Sequence, residues 1–265
     1  MDEREAAAKI HSTFDQVQLW HRTPLFVPNV GSQLRADDDE WPYMSISQLS
    51  KVGLDVAAEH LYACRVLVQA GELFPFVHRS LLRTALVGAT QAVWLLDPDD
   101  GSERTRRHRV LMATMYKRHH QYLSELLTLN DLRGEPHDTN TEIVHDHVAA
   151  RKGELEKLRA QYSEKSSWND ADAIKAAARA CWTRSADVEN LVQEALLEWQ
   201  AGSGASHGLV WSALGQEDTK PVTGPDAQGL AVIAAGGSHL RIANAYMLAY
   251  HLTDCGWALL RKRGL

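Results

Sequence analysis

The segment 74–96 constrains this chain more than any other. Its residues follow helical spacing. Placed at 100° intervals, Leu81, Ala85, Ala89 and Ala92 fall on one face, and Phe76, Val87 and Trp94 fall nearly opposite. A helix that is apolar on all sides has no face to offer water, so it belongs at the centre of a domain with other helices around it. Yet this segment also carries Arg79 and Arg83, one turn apart, and no acidic residue lies between Phe74 and Leu96. A guanidinium cannot shed its charge on burial. Each arginine must therefore meet a carboxylate, a cluster of backbone carbonyls, water or a bound anion. Three readings stay open: an ion pair with Asp55 or Glu59 of the preceding helix, an anion or phosphate site at a pocket, or simple exposure to water.

The flanking chain supplies the helices that such a centre needs. Apolar residues recur at helical spacing over 3–21 (Ile10, Phe14, Val17) and over 47–72 (Leu54, Ala58, Leu61, Val68). The same period runs through 102–130, 140–162, 171–182, 186–200 and 227–262, the last with a possible break at Gly236 and Gly237. Asp97, Pro98 and Gly101 stop the central helix. Residues 22–44 read as irregular, punctuated by Pro24, Pro28, Gly31 and Pro42, with the acidic run Asp37, Asp38, Asp39 and Glu40 as a solvated loop. The only strand signal, over 209–214, is short, and 214–226 reads as a loop. The expected fold is all-α: a multi-helix bundle in one domain over 45–265, preceded by an N-terminal helix and irregular arm over 1–44.

Composition narrows the function classes. The 265 residues carry a net charge of -6, so nucleic acid is not bound over the whole surface and any such contact is local. Cys64, Cys181 and Cys255 are odd in number, far apart and without a CxxC pair, which points to buried free thiols rather than a disulfide scaffold or a thiolate metal site. The N-terminal stretch lacks the apolar region of a secretory signal, and no apolar run reaches membrane-spanning length. The expected location is the cytoplasm, with no membrane partner. His145 and His147 are two apart and face different sides of a helix, and HExxH is absent, so neither a metal nor another cofactor is expected.

Three features remain as candidate sites. The first is the glycine-rich stretch 198–211. As a continuous helix it would place Trp199, Ser203, His207 and Trp211 in one column. Gly202, Gly204 and Gly208 each oppose a helix by about 1 kcal/mol against alanine, so they mark a close approach or a turn. Ser203 and His207 stand one turn apart, but no orienting third group or GxSxG elbow accompanies them. His207 reads either as a satisfied structural histidine or as a polar site residue. The second feature is the pair Arg79 and Arg83. The third is the basic start of the 102–130 helix: Arg104, Arg106, Arg107 and Arg109, followed by Lys117 and Arg118, with Glu103 the sole acid up to His120. That face either is solvated or tracks a phosphate backbone.

Two passages carry a resemblance. One is Arg79-Ser80-Leu81-Leu82-Arg83-Thr84-Ala85-Leu86, running on through Ala92 to Pro98; the other is 199–208, ending Ser203-Gly204-Ala205-Ser206-His207-Gly208. They resemble helical proteins of actinobacteria and their phages, which in turn look similar to the HEPN superfamily of helical bundles. That family includes metal-independent ribonucleases of toxin and phage-defence systems, usually dimers whose motif is an arginine, four to six intervening residues and then a histidine, and also members that only bind partners. Here Gln200, Ala201 and Gly202 stand where that arginine would be, so an arginine from another helix would have to replace it. The resemblance implies a protein that acts on or binds RNA or a nucleotide as a homodimer, with His207 as general acid/base, Arg83 and Ser203 beside it, and Arg79, Ser206, Trp211, Arg104, Arg106 and Arg107 as substrate contacts. The alternative is a non-catalytic interaction protein of phage or phage-defence origin that docks a protein partner.

Overall fold

The computed structural model describes residues 1–214 and 219–265. The chain forms two compact units, Met1–Pro98 with Asp170–Leu265, and Asp99–Asn169. Both are helical, as the periodicity requires, and together they make an all-α multi-helix structure.

In the first unit α5 (Val77–Leu96) is the hub. It packs against α4 (Ile46–Gln69), α8 (Asp170–Cys181), α9 (Val188–Ser206) and α10 (His239–Gly264), and α1 (Glu3–His11) lies on α10. Twelve of the 20 residues of α5 are buried, including Leu82, Leu86, Val93 and Leu96, as expected for a helix surrounded by helices. The α4–α5 crossing is set by two glycines. A Cβ on Gly53 would stand 2.6 Å from the Gly88 carbonyl oxygen, and one on Gly88 would stand 2.5 Å from that of Gly53. The backbones touch, so neither position has room for a side chain.

Polar groups close the ends of these helices. The last carbonyls of α5 have no partner within the helix. Buried Arg263 of α10 supplies one, donating from Nε to the Leu96 carbonyl at 3.2 Å and from a terminal nitrogen to Asp97 at 2.9 Å, while its other arm reaches Gln33. At the opposite end of α10, Glu3 accepts from the backbone nitrogens of His239 and Leu240 and from the His239 ring. Ser238 caps the same turn.

Several sequence expectations are refined. The first helix is divided into α1 and α2 (Phe14–His21) around Ser12 and Thr13. The arm contains a short helix, α3 (Gln33–Asp38), so the acidic run is not a solvated loop: Asp38 is buried and accepts from both the backbone and hydroxyl of Ser47. The 209–214 stretch is a 3-10 turn (Val210–Ser212), not a strand. Strands form later, where β1 (Thr219–Pro221) pairs antiparallel with β2 (Ile233–Ala235), so α10 begins only at His239, beyond the glycine pair. Part of the 214–226 loop, 215–218, lies outside the described residues.

The cysteine expectation fails for two of three residues. Cys181 and Cys255 form a disulfide across 74 residues, while Cys64 remains a buried free thiol. The wide spacing misled because α8 packs directly on α10 and brings the two positions together. Among the described residues no helix is long and apolar enough to cross a membrane.

The second unit is a helical hairpin. Asp100 caps the start of α6 (Gly101–Arg133) through the Ser102 nitrogen, and Gly134, at φ 64°, ends it in the left-handed conformation. Four residues later Asp138 caps α7 (Thr139–Gln161), and α7 packs along α6 over Leu123, Val148 and Leu155.

Candidate functional site

The central arginines find their partners on α9, not on α4. Arg79 meets Glu198 at 3.2 Å, with the two side chains 6% and 19% exposed. Burial pushes the Glu198 carboxyl above its ordinary range, and the charge of Arg79 pulls it back. One turn further along α5, Arg83 donates from Nε to the Ser203 hydroxyl at 3.0 Å. Neither Asp55 nor Glu59 is used; Asp55 instead takes the buried Lys51 at 2.6 Å.

These two rungs between α5 and α9 require a close approach, and the glycines provide it. A Cβ on Gly202 would stand 2.6 Å from the Cβ of Arg83 and 2.8 Å from the Arg79 carbonyl oxygen. A Cβ on Gly204 would stand 2.6 Å from the Trp211 ring. Gly208 serves the other purpose: with φ +67° and no atom near its missing Cβ, it turns the chain. Helix α9 therefore runs through two of the three glycines and stops at Ser206.

That turn breaks the expected column. Ser203 and His207 keep their one-turn separation, with His207 as the C-cap of α9. Trp211 does not continue the line, because the chain reverses at Gly208 and lays the Trp211 ring back on Gly204. Ser206 spends its hydroxyl on the Gly202 carbonyl at 2.9 Å. His207 is exposed, and its side chain has no hydrogen bond or ion pair with any described residue. Arg83 is half-buried, and its only partner among the described residues is the neutral Ser203. The structure thus brings Arg83 to Ser203, separates Arg79 into an ion pair, and leaves His207 one helical turn beyond.

An apolar depression of about 630 Å³ adjoins the end of α9, lined by Phe76, Ala205, Val210, Ala213 and Ile233 among others. Among the described residues its walls hold no titratable side chain.

The basic start of α6 is largely spoken for within its own unit. Glu103 accepts from Arg106 at 2.6 and 2.7 Å and from Arg107 at 2.8 Å. Those hydrogen bonds, Arg106 first, hold its carboxyl down to about 2 despite partial burial. Arg104 donates to the Asp99 carbonyl at 2.9 Å. Arg109 is buried against Glu164 at 3.0 Å, with the Tyr162 ring 4.4 Å from its guanidinium. Each of the four arginines over 104–109 thus has a partner within its own unit. A helix places i, i+3 and i+4 on one side, so one glutamate suffices for two arginines. The cations further along, Lys117 and Arg118, are exposed and have no ion-pair partner among the described residues.

Comparison with models of known families, with curated proteins and with solved structures finds no match to this chain. Among the described residues no three histidine, cysteine or carboxylate side chains are grouped to hold a metal ion.

Proposed function

We propose that the chain is a HEPN-like helical protein that handles RNA, with Arg83, Ser203 and His207 as its reacting site. One observation carries the reading. Arg83 leaves the most buried helix of the bundle and, among the described residues, meets a neutral hydroxyl rather than a carboxylate, one helical turn before an exposed histidine. A guanidinium in that state keeps its full charge for an anion. In the reaction this site would serve, the 2′-hydroxyl of RNA attacks the adjacent phosphorus and the bond to the 5′ oxygen breaks. His207 takes the 2′ proton or supplies the one that leaves on the 5′ oxygen, and the same residue of a second copy in a homodimer takes the other role. Arg83 offsets the charge that builds on the phosphoryl oxygens, and Ser203 holds its guanidinium in place.

RNA cleavage by the full chain in excess chelator tests this. His207→Ala and Arg83→Ala should each lose cleavage by two orders of magnitude or more while circular dichroism stays unchanged. Equal, negligible cleavage by the wild type and both variants would sink the proposal.

A second reading has its own observation. Val210, Trp211, Leu230 and Val232 are each more than half exposed, and Val210 lines the apolar depression. Exposed apolar side chains of this kind suit a non-catalytic protein that docks a protein partner. Absence of cleavage together with a stable complex that Trp211→Ser abolishes would favour it.

A further inference from the structure

The groove between α6 and α7 has an unusual lining for a helical seam. On α6 it takes Val110, Thr114, Lys117 and Gln121, at spacings of four, three and four, with Arg118 beside them. On α7 it takes Lys152, Leu155, Glu156 and Arg159. Positions at this spacing normally carry the apolar stripe that closes two helices together. Here the stripe is apolar at Val110 and Leu155 and turns to cations beyond them, so the helices leave an open space of about 430 Å³. Ser167 and Trp168, from the chain following α7, line it as well.

The charges of this space do not balance. Among the described residues it holds Lys117, Arg118, Lys152 and Arg159 against a single lining carboxylate, Glu156, which lies 3.5 Å from Lys152. Glu164, beyond the lining, is 3.7 Å from Arg159 but already serves the buried Arg109. Lys117 and Arg118 meet no carboxylate among the described residues. Adjacent like charges over one concave wall focus a positive potential that an anion relieves. A flat indole in the same wall adds what a bare anion does not use, since aromatic rings stack with nucleobases whatever their identity.

We propose that this groove binds a nucleotide unit, its phosphate held by Lys117, Arg118 and Lys152 and its base against Trp168. The unit comes either from free nucleotide or from single-stranded RNA. The choice of RNA as a source rests on the function proposed above, but the groove belongs to the Asp99–Asn169 unit alone and needs no catalysis. It also moves the nucleic-acid contact along α6, from the arginines at 104–107, which already have partners, to the cations at 117–118.

Fluorescence anisotropy of a labelled single-stranded RNA with the full chain tests it, with ATP, inorganic phosphate and polyglutamate as competitors. The proposal expects RNA or ATP to bind, and Lys117→Gln/Arg118→Gln to weaken binding about tenfold and lower the salt slope for RNA by about 1.4. Both residues are exposed, and circular dichroism confirms that the variant folds. RNA binding that ATP does not displace assigns the site to RNA; ATP binding alone assigns it to free nucleotide. Displacement by polyglutamate or inorganic phosphate as effective as by ATP would overturn a nucleotide site, as would unchanged binding by the double variant. His207→Ala and Lys117→Gln/Arg118→Gln are each assayed for cleavage and for ATP binding: loss of cleavage in His207→Ala bears on the function, and loss of ATP binding in the double variant bears on the groove.

Discussion

Gly202 lies against Arg83 so closely that a Cβ added to it would stand 2.6 Å from the Arg83 Cβ. The contact fixes how near α9 comes to α5, and with it the reach of Arg83 to Ser203. Gly202→Ala should therefore destabilise the chain by about 1–3 kcal/mol in urea unfolding, because the added carbon meets a side-chain root and a backbone carbonyl rather than a flexible tip. Gly153 is the control. It sits inside α7 with nothing within 4 Å of its missing Cβ, so Gly153→Ala should stabilise by up to about 1 kcal/mol. Equal effects at the two positions would mean that α9 can slide without cost.

The Arg79–Glu198 pair should be expensive to break and cheap to replace. Glu198→Ala removes the carboxylate facing a guanidinium that is 6% exposed, and should lower stability by about 3 kcal/mol. Arg79→Met/Glu198→Leu removes both charges and keeps most of the volume, so it should lose far less than the sum of the single variants. Additive losses would show that the two residues do not act as a pair.

His78 predicts an acid-side weakness. Its ring is fully buried, and burial pushes its pKa below the ordinary 6.5, partly countered by its hydrogen bond with Phe74. The unfolded chain therefore takes up a proton first as pH falls. The contribution of this residue is whole above pH 6.5 and is lost progressively below it, toward the depressed folded value. Urea midpoints at about pH 7.5 and about pH 5.5 should differ less in His78→Phe than in the wild type. An unchanged difference would remove His78 as a source of acid sensitivity.

The disulfide gives a chemical prediction. Under denaturing, non-reducing conditions only Cys64 should react with an alkylating agent; after reduction Cys181 and Cys255 should react too. Cys255→Ser should cost about 2–4 kcal/mol of stability, because the bridge restrains a long loop of the unfolded chain. Alkylation of all three thiols before reduction would contradict the bridge.

What the sequence determined by itself was the class of structure and the identity of its centre. The period of apolar residues marks nearly every long helix, because 3.6-residue spacing is a local property written along the chain. The unbroken apolar circumference of 74–96 marks the hub for the same reason. The glycines near His207 were legible as a close approach and a turn, since a helix tolerates them only with compensation. Tertiary structure alone decided which glycine does which, and it decided every partner across space. Arg79 and Arg83 look equivalent in sequence, yet one meets Glu198 and the other Ser203, from a helix more than a hundred residues away. Cys181 and Cys255 look unrelated until α8 packs on α10. Charge along α6 misled in the other direction: the arginines at 104–107 stand out as a run, but a single glutamate and a backbone carbonyl absorb much of it. Lys117 and Arg118, less conspicuous, have no ion-pair partner among the described residues, because the one carboxylate in their groove, Glu156, pairs with Lys152. Periodicity reports which face is buried; only the fold reports against what.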